Sequence, residues 1–130
     1  MPRLLQRNQR AIAEARVDAD RARLLAQRVI LLARHWRSAD VPEALLAADA
    51  AARAAADRHA DAELTLARGV AMYYGAEVGG SLELIRRAGE AAAALGDGGL
   101  EAECEAWAGC VRGTLHQAPA EVLPHLHRAV

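Results

Sequence analysis

A chain of 130 residues with a formal net charge of −1 makes one domain, long enough to bury a core and too near neutral overall for a dedicated nucleic-acid binder. Its 53% hydrophobic content is mostly alanine, 33 Ala against 30 Leu, Ile, Val and Met with no Phe, so the core must be built from small residues packed closely. Helix formers abound and strand formers are scarce, which excludes all-β and α/β folds. No apolar run approaches the ~20 residues of a membrane span, no cleavable leader pattern is present, and two cysteines are too few for a disulfide framework. The expectation is a cytoplasmic, all-α module.

In chain order, residues 1–19 read as an N-terminal helix or extension and residues 20–130 as a repeat domain. Leu5, Asn8, Ile12, Ala15, Ala19, Ala22, Ala26, Val29, Ala33 and Trp36 keep a 3-4 spacing without a break. One helix over residues 3–37 would be about 50 Å long and could pair with a second copy. Leu24, Leu25, Ile30, Leu31 and Leu32 add apolar residues off that seam, which favours packing onto the chain's own repeats. Further helices are predicted at about 20–37, 42–57, 60–77, 81–95, 99–116 and 119–130. Breakers mark the joints: Ser38–Pro42, Asp57–His59, Val78–Ser81, Gly96–Gly99 and Gln117–Pro119. Pro42 and Pro119 suit first-turn positions, Ser81 and Asp97 suit N-caps, and Gly96 suits a helix end.

Charge is uneven along this order. Residues 1–37 hold nine Arg against Glu14, Asp18 and Asp20, a net of +6, whereas residues 38–130 hold seven Arg against fourteen acids, a net of −7. The Arg residues are spread around the helix, so a basic helix beside an acidic body is preferred to a basic arm for a membrane or acidic partner.

The chain repeats itself every forty residues. Asp57 falls on Asp97, Glu63 on Glu103, Gly69 on Gly109, Arg28 on Arg68, Glu43 on Glu83 and Leu45 on Ile85. A last copy follows with one residue inserted, Leu82, Ile85 and Ala88 matching Leu123, Leu126 and Ala129. The copies are about 20–58, 59–98 and 99–130. A lone hairpin cannot bury its apolar face, whereas stacked hairpins can.

The junction Ala91–Glu103, with its Leu95-Gly96-Asp97 ending and Glu101-Ala102 opening, resembles that of long, roughly forty-residue bacterial tetratricopeptide (TPR) repeats. Gly69 and Gly109 resemble the small residue at the close crossing of a TPR hairpin, and Leu45/Ala48 and Ile85/Ala88 its large-then-small pair. Val29 in place of the first crossing glycine, and Gly79-Gly80 in place of an acidic turn, depart from the pattern. The resemblance implies a right-handed superhelix of antiparallel hairpins, an α-solenoid of about 6–7 helices. It also implies a protein- or peptide-binding regulatory module, similar to the N-terminal parts of bacterial diguanylate cyclases and transcription regulators, with no cofactor. The apolar ending Leu123, Leu126, Ala129, Val130 carries no capping helix, so the partner is expected to be a C-terminal domain of the same protein or a second copy.

Chemistry is hard to find. His116, His125 and His127 cannot share a metal on one helix, because 125 and 127 point about 200° apart. His35 and His59 read as ordinary solvated histidines. Cys104 and Cys110, about 9 Å apart on a helix, cannot pair and read as buried small hydrophobes. Glu101, Glu103 and Glu105 fan apart into a solvated acidic face, and Gly79-Gly80-Ser81 lacks the strand and lysine of a phosphate loop. No catalytic, cofactor or metal residues are assigned, and no enzyme is expected. Recognition is assigned to Arg28, Arg68, Tyr73, Tyr74, Trp107 and Arg112, because Trp, Tyr and Arg anchor interfaces. Two other readings stand beside protein binding. One is a sensory domain holding a small ligand, which a pocket of about 300 Å³ lined by Tyr73, Tyr74 and Trp107 would favour. The other is a homodimerisation module built on the long N-terminal helix.

Overall fold

The computed structural model describes residues 2–14, 17–35 and 37–117. Within them the chain is helical: α1 (Pro2–Glu14), α2 (Asp18–Arg34), a short 3-10 turn (Ser38–Asp40), α3 (Val41–Ala55), α4 (Arg58–Tyr74), α5 (Val78–Ala94) and α6 (Gly98–Gln117). No strand occurs among the described residues, and no described helix is long and apolar enough to cross a membrane. The predicted helix 119–130, with His125 and His127, lies outside the described residues, as does Trp36.

Three successive helices end alike. Ala56, Ala76 and Gly96 take left-handed backbone angles, with φ of 49°, 68° and 70°. At the second and third, the following amide reaches back five residues: Glu77 N–H donates to Met72 O and Asp97 N–H to Ala92 O, both at 2.9 Å. The chain thus reverses every twenty residues, and an acidic residue follows each reversal. Asp57 and Asp97 cap the next helix, accepting from Ala60 N–H at 2.9 Å and Leu100 N–H at 3.1 Å. Glu77 makes no such bond.

The expected joint at Val78–Ser81 is therefore misplaced. The turn falls at 75–77, and Ser81 is no cap: it is buried inside α5, its hydroxyl donating to Gly69 O at 2.7 Å. Gly79 and Gly80 belong to the first turn of α5. A Cβ on Gly80 would lie 2.5 Å from the Met72 methyl, so the glycine serves close approach of α5 to α4. Gly69 does the same at the crossing, where a Cβ would lie 2.8 Å from Ile85 Cγ1 and 3.2 Å from Ser81 O. Gly109 differs: no described atom stands within 4 Å of a Cβ there, and its expected crossing partner is helix 119–130.

α2 pairs with α3, α4 with α5, and α5 with α6, while α2 runs extensively along α4. α6 leans on α5 and touches α4 only lightly. Alanine fills the interfaces: Ala22, Ala26, Ala48, Ala52, Ala60, Ala67, Ala88 and Ala92 are all essentially buried, around Val29, Leu66, Val70, Ile85 and Val111. Close helix contact through alanine replaces the large side chains this sequence lacks.

The single helix over 3–37 is not formed. α1 ends at Glu14, Val17 is extended (φ −104°, ψ 129°), and α2 starts at Asp18. α1 then lies on α2, with Asn8 Nδ2 donating to Leu24 O at 2.9 Å across sixteen residues. The 3-4 seam does mark buried positions, but in two sets. Leu5 and Asn8 are buried on α1, whereas Ala22, Ala26, Val29 and Ala33 are buried in the core. The dimer reading loses its long helix.

Candidate functional site

Of the six residues assigned to recognition, three come together. Tyr73 and Tyr74 end α4, and Trp107 projects from α6. The tyrosine rings meet edge to face at 5.1 Å, and Tyr74 meets Trp107 edge to face at 6.1 Å. The Tyr73 hydroxyl and the Thr114 hydroxyl share a 2.6 Å hydrogen bond, which ties α4 to α6. All three rings are partly exposed. Burial holds the Tyr74 phenol above its ordinary pKa, with a smaller contribution from Tyr73, while Arg34 acts in the opposite direction.

The three arginines go elsewhere. Arg68 faces α3, where it pairs with Asp49. Arg112 borders a hollow between α5 and α6 with Arg86, Glu90, Glu101 and Glu105. Arg28, on α2, is half-buried, and its Nη1 has no hydrogen-bond partner. Of the cysteines, Cys104 is buried, its thiol pushed up to about 11 mainly by desolvation, but Cys110 is exposed, against expectation.

Beside the aromatic cluster a cleft of about 430 Å³ runs between α1, α2 and α6. Leu4, Ala11, Leu24, Ile30, Leu31 and Trp107 supply its apolar lining, and Arg7, Arg34 and Glu103 its charges. It exceeds the size set out above for a small-ligand site, yet only Trp107 of the three aromatics lines it. Past Leu24 and Gln27 it shares walls with a more polar hollow of about 480 Å³ bordered by Glu14, Asp20 and Arg23.

A charged network that sequence reasoning did not assign lies under this cleft. Glu63 of α4 is 2% exposed, yet it accepts from Arg23 Nε and, at 3.0 Å, from Gln27 Nε2. Arg23 Nη2 also donates to Asp97 Oδ2 at 3.2 Å, and His59 Nδ1 lies 2.9 Å from the same oxygen. Arg23, from the basic first third of the chain, thus ties α2 to α4 and to the turn before α6. The hydrogen bond with His59, the Leu100 amide and Arg23 hold the Asp97 carboxyl below the ordinary aspartate value. Glu103 is pushed up by desolvation and by the nearby Glu63 charge. The one signal for this network was the forty-residue match of Glu63 to Glu103 and of Asp57 to Asp97.

Among the described residues, no three His, Cys, Asp or Glu side chains stand close enough to share a metal ion. The geometry offers a partly exposed aromatic patch next to an apolar cleft. No protein-family model, curated protein or solved structure matches this chain.

Proposed function

We propose that the chain is a TPR-like helical-repeat module that binds a protein or peptide partner, working by binding rather than turnover. In this reading the hairpins α2/α3 and α4/α5, with α6 opening a third, form a right-handed solenoid of the cytoplasm. It regulates a signalling protein of the diguanylate cyclase or transcription-regulator type, whose own C-terminal domain is a candidate partner. The observation that carries the reading is the Tyr73–Tyr74–Trp107 cluster, three partly exposed rings gathered from two helices at one end of a cleft. Aromatic anchors of this kind dominate the energetics of interfaces.

Selection of a random peptide display library on the chain tests the proposal. Enriched peptides are expected to bind at micromolar Kd and to lose about tenfold or more on Trp107→Ala or Tyr74→Ala, with helical circular dichroism retained. Absence of enrichment, or binding indifferent to both substitutions, overturns it. The size and apolar lining of the cleft favour a second reading, a ligand-holding sensory domain.

A further inference from the structure

The cleft between α1, α2 and α6 has a direction. Along α2 its lining runs from Leu24 through Gln27, Ile30 and Leu31 to Arg34, ten residues and so about 15 Å. At the Leu24 end it adjoins the hollow bordered by Glu14, Asp20 and Arg23, whose one cation is already paired with Glu63 and Asp97, so the hollow disfavours an anion. At the other end stands Arg34, next to Trp107, and Arg7 of α1 stands along the wall. Both guanidiniums are exposed, and neither makes an ion pair or hydrogen bond with a described residue. By contrast, Arg23 is committed to Glu63 and Asp97, and Arg68 to Asp49.

The wall offers little to a peptide backbone. An extended peptide needs a partner for each buried amide and carbonyl. Of the polar side chains lining the cleft, Asn8 spends its Nδ2 on Leu24 O and Gln27 its Nε2 on Glu63, and the unpartnered Asn8 Oδ1 is one acceptor where an extended backbone needs many. What remains is an apolar trough with Arg34 at one end, Arg7 along one wall and a single acid, Glu103, in its lining. An unbranched aliphatic chain with one anionic head meets those terms: the tail needs no hydrogen bonds, and the head finds a guanidinium.

From this juxtaposition we propose that the cleft binds an aliphatic carboxylate, its head on Arg34 with Arg7 as the second cation and its tail lying over Ile30, Leu31 and Trp107 toward Leu24. The site shares Trp107 with the aromatic patch invoked for a protein partner, but Arg34 and Arg7 set its head group, so Arg34→Gln and Arg7→Gln separate the two readings. A chain that fails to select peptides can still bind the carboxylate, and the converse holds too.

The probes are octanoate, decanoate, decanol and decyltrimethylammonium, each kept below its micelle concentration. The readouts are calorimetry and amide chemical shifts. Decanoate is expected to bind one to one, with shifts confined to residues 4–11, 24–34 and 103–107. Each added methylene should tighten binding about fourfold from octanoate upward. Decanol and decyltrimethylammonium should bind at least tenfold more weakly. Arg34→Gln should reduce decanoate affinity about tenfold and Arg7→Gln less, with little effect on decanol, and Ala11→Trp should block the trough. Both arginines are exposed, so their substitution leaves the fold intact. Equal binding of the cationic amphiphile, shifts mapping to the α5–α6 hollow, or indifference to both Arg7→Gln and Arg34→Gln would each overturn the assignment.

Discussion

At the α4–α5 crossing, Gly69 brings two helices so close that Ile85 and the Ser81 carbonyl fill the space a side chain would take, and the Ser81 hydroxyl satisfies Gly69 O. At the α1–α2 contact, Leu5 is buried and Asn8 makes one hydrogen bond, but Asn8 Oδ1 is buried without a partner. Arg28 Nη1, on α2, is in the same condition. An unpaired buried acceptor or donor costs about 1–3 kcal/mol, which offsets much of what the apolar contact contributes. The comparison teaches that burial and stability part company here: α1 covers α2, yet α4–α5 is where the molecule is held. α1 is accordingly expected to open before α4–α5, and the cleft it walls with it.

Substitutions can break or sharpen this contrast. The largest effect is expected for Gly69→Val, which drives methyl groups into Ile85 and the Ser81 backbone. A loss of about 3 kcal/mol in urea unfolding is expected, and a loss below about 1 kcal/mol would show that the crossing yields readily. Glu63→Ala should follow at about 2 kcal/mol, because it strips Arg23 and Gln27 of their acceptor. The loss is smaller than for a fully enclosed pair because the Arg23 side chain is 33% exposed. Asp97→Asn keeps the helix cap but removes the charge that Arg23 and His59 face. The folded carboxyl sits below its ordinary value, so its contribution is fully present above that value and is lost as pH falls through the depressed one. The wild-type advantage over Asp97→Asn, about 1 kcal/mol at neutral pH, should therefore close under acid. Ala76→Gly removes the strain of a left-handed alanine and should stabilise by about 0.5–1 kcal/mol in thermal unfolding. Asn8→Leu should change stability by less than about 1 kcal/mol in either direction, since the hydrogen bond it deletes comes with an unpaired acceptor. A loss of about 2 kcal/mol or more there would place α1 on the same footing as α4–α5 and end the comparison.

How much of this could be read beforehand follows from which physical signal each feature carries. Helices α2 to α6 announce themselves through composition and periodicity, and Asp57 and Asp97 through the forty-residue repeat. Ala56 and Ala76 do not: nothing in an alanine-rich sequence singles out the two alanines that turn left-handed, whereas Gly79-Gly80 look like a turn while Gly80 lies against Met72 inside α5. The seam from Leu5 to Ala33 gave the buried positions but not the break at residue 17, because period reports which face is covered and not by what. The Tyr73–Tyr74–Trp107 cluster combines residues chosen for type, and its assembly depends on how α6 lies against α4 and α5. That Arg68 and Arg112 do not join the aromatic cluster has a related reason. Position along a repeat sets the helix, while the local partner, Asp49 for Arg68, sets where the guanidinium goes.

The even spacing of the three left-handed residues has a consequence for how such a chain can change length. Each reversal flips the helix direction, so two reversals, forty residues, restore both direction and buried face. In the proposed solenoid, a duplication of forty residues would add a further hairpin with its alanine face toward its neighbours. A duplication of twenty would leave a helix running against the grain with its apolar side outward. In the solenoid arrangement proposed above, growth is therefore expected in whole hairpins.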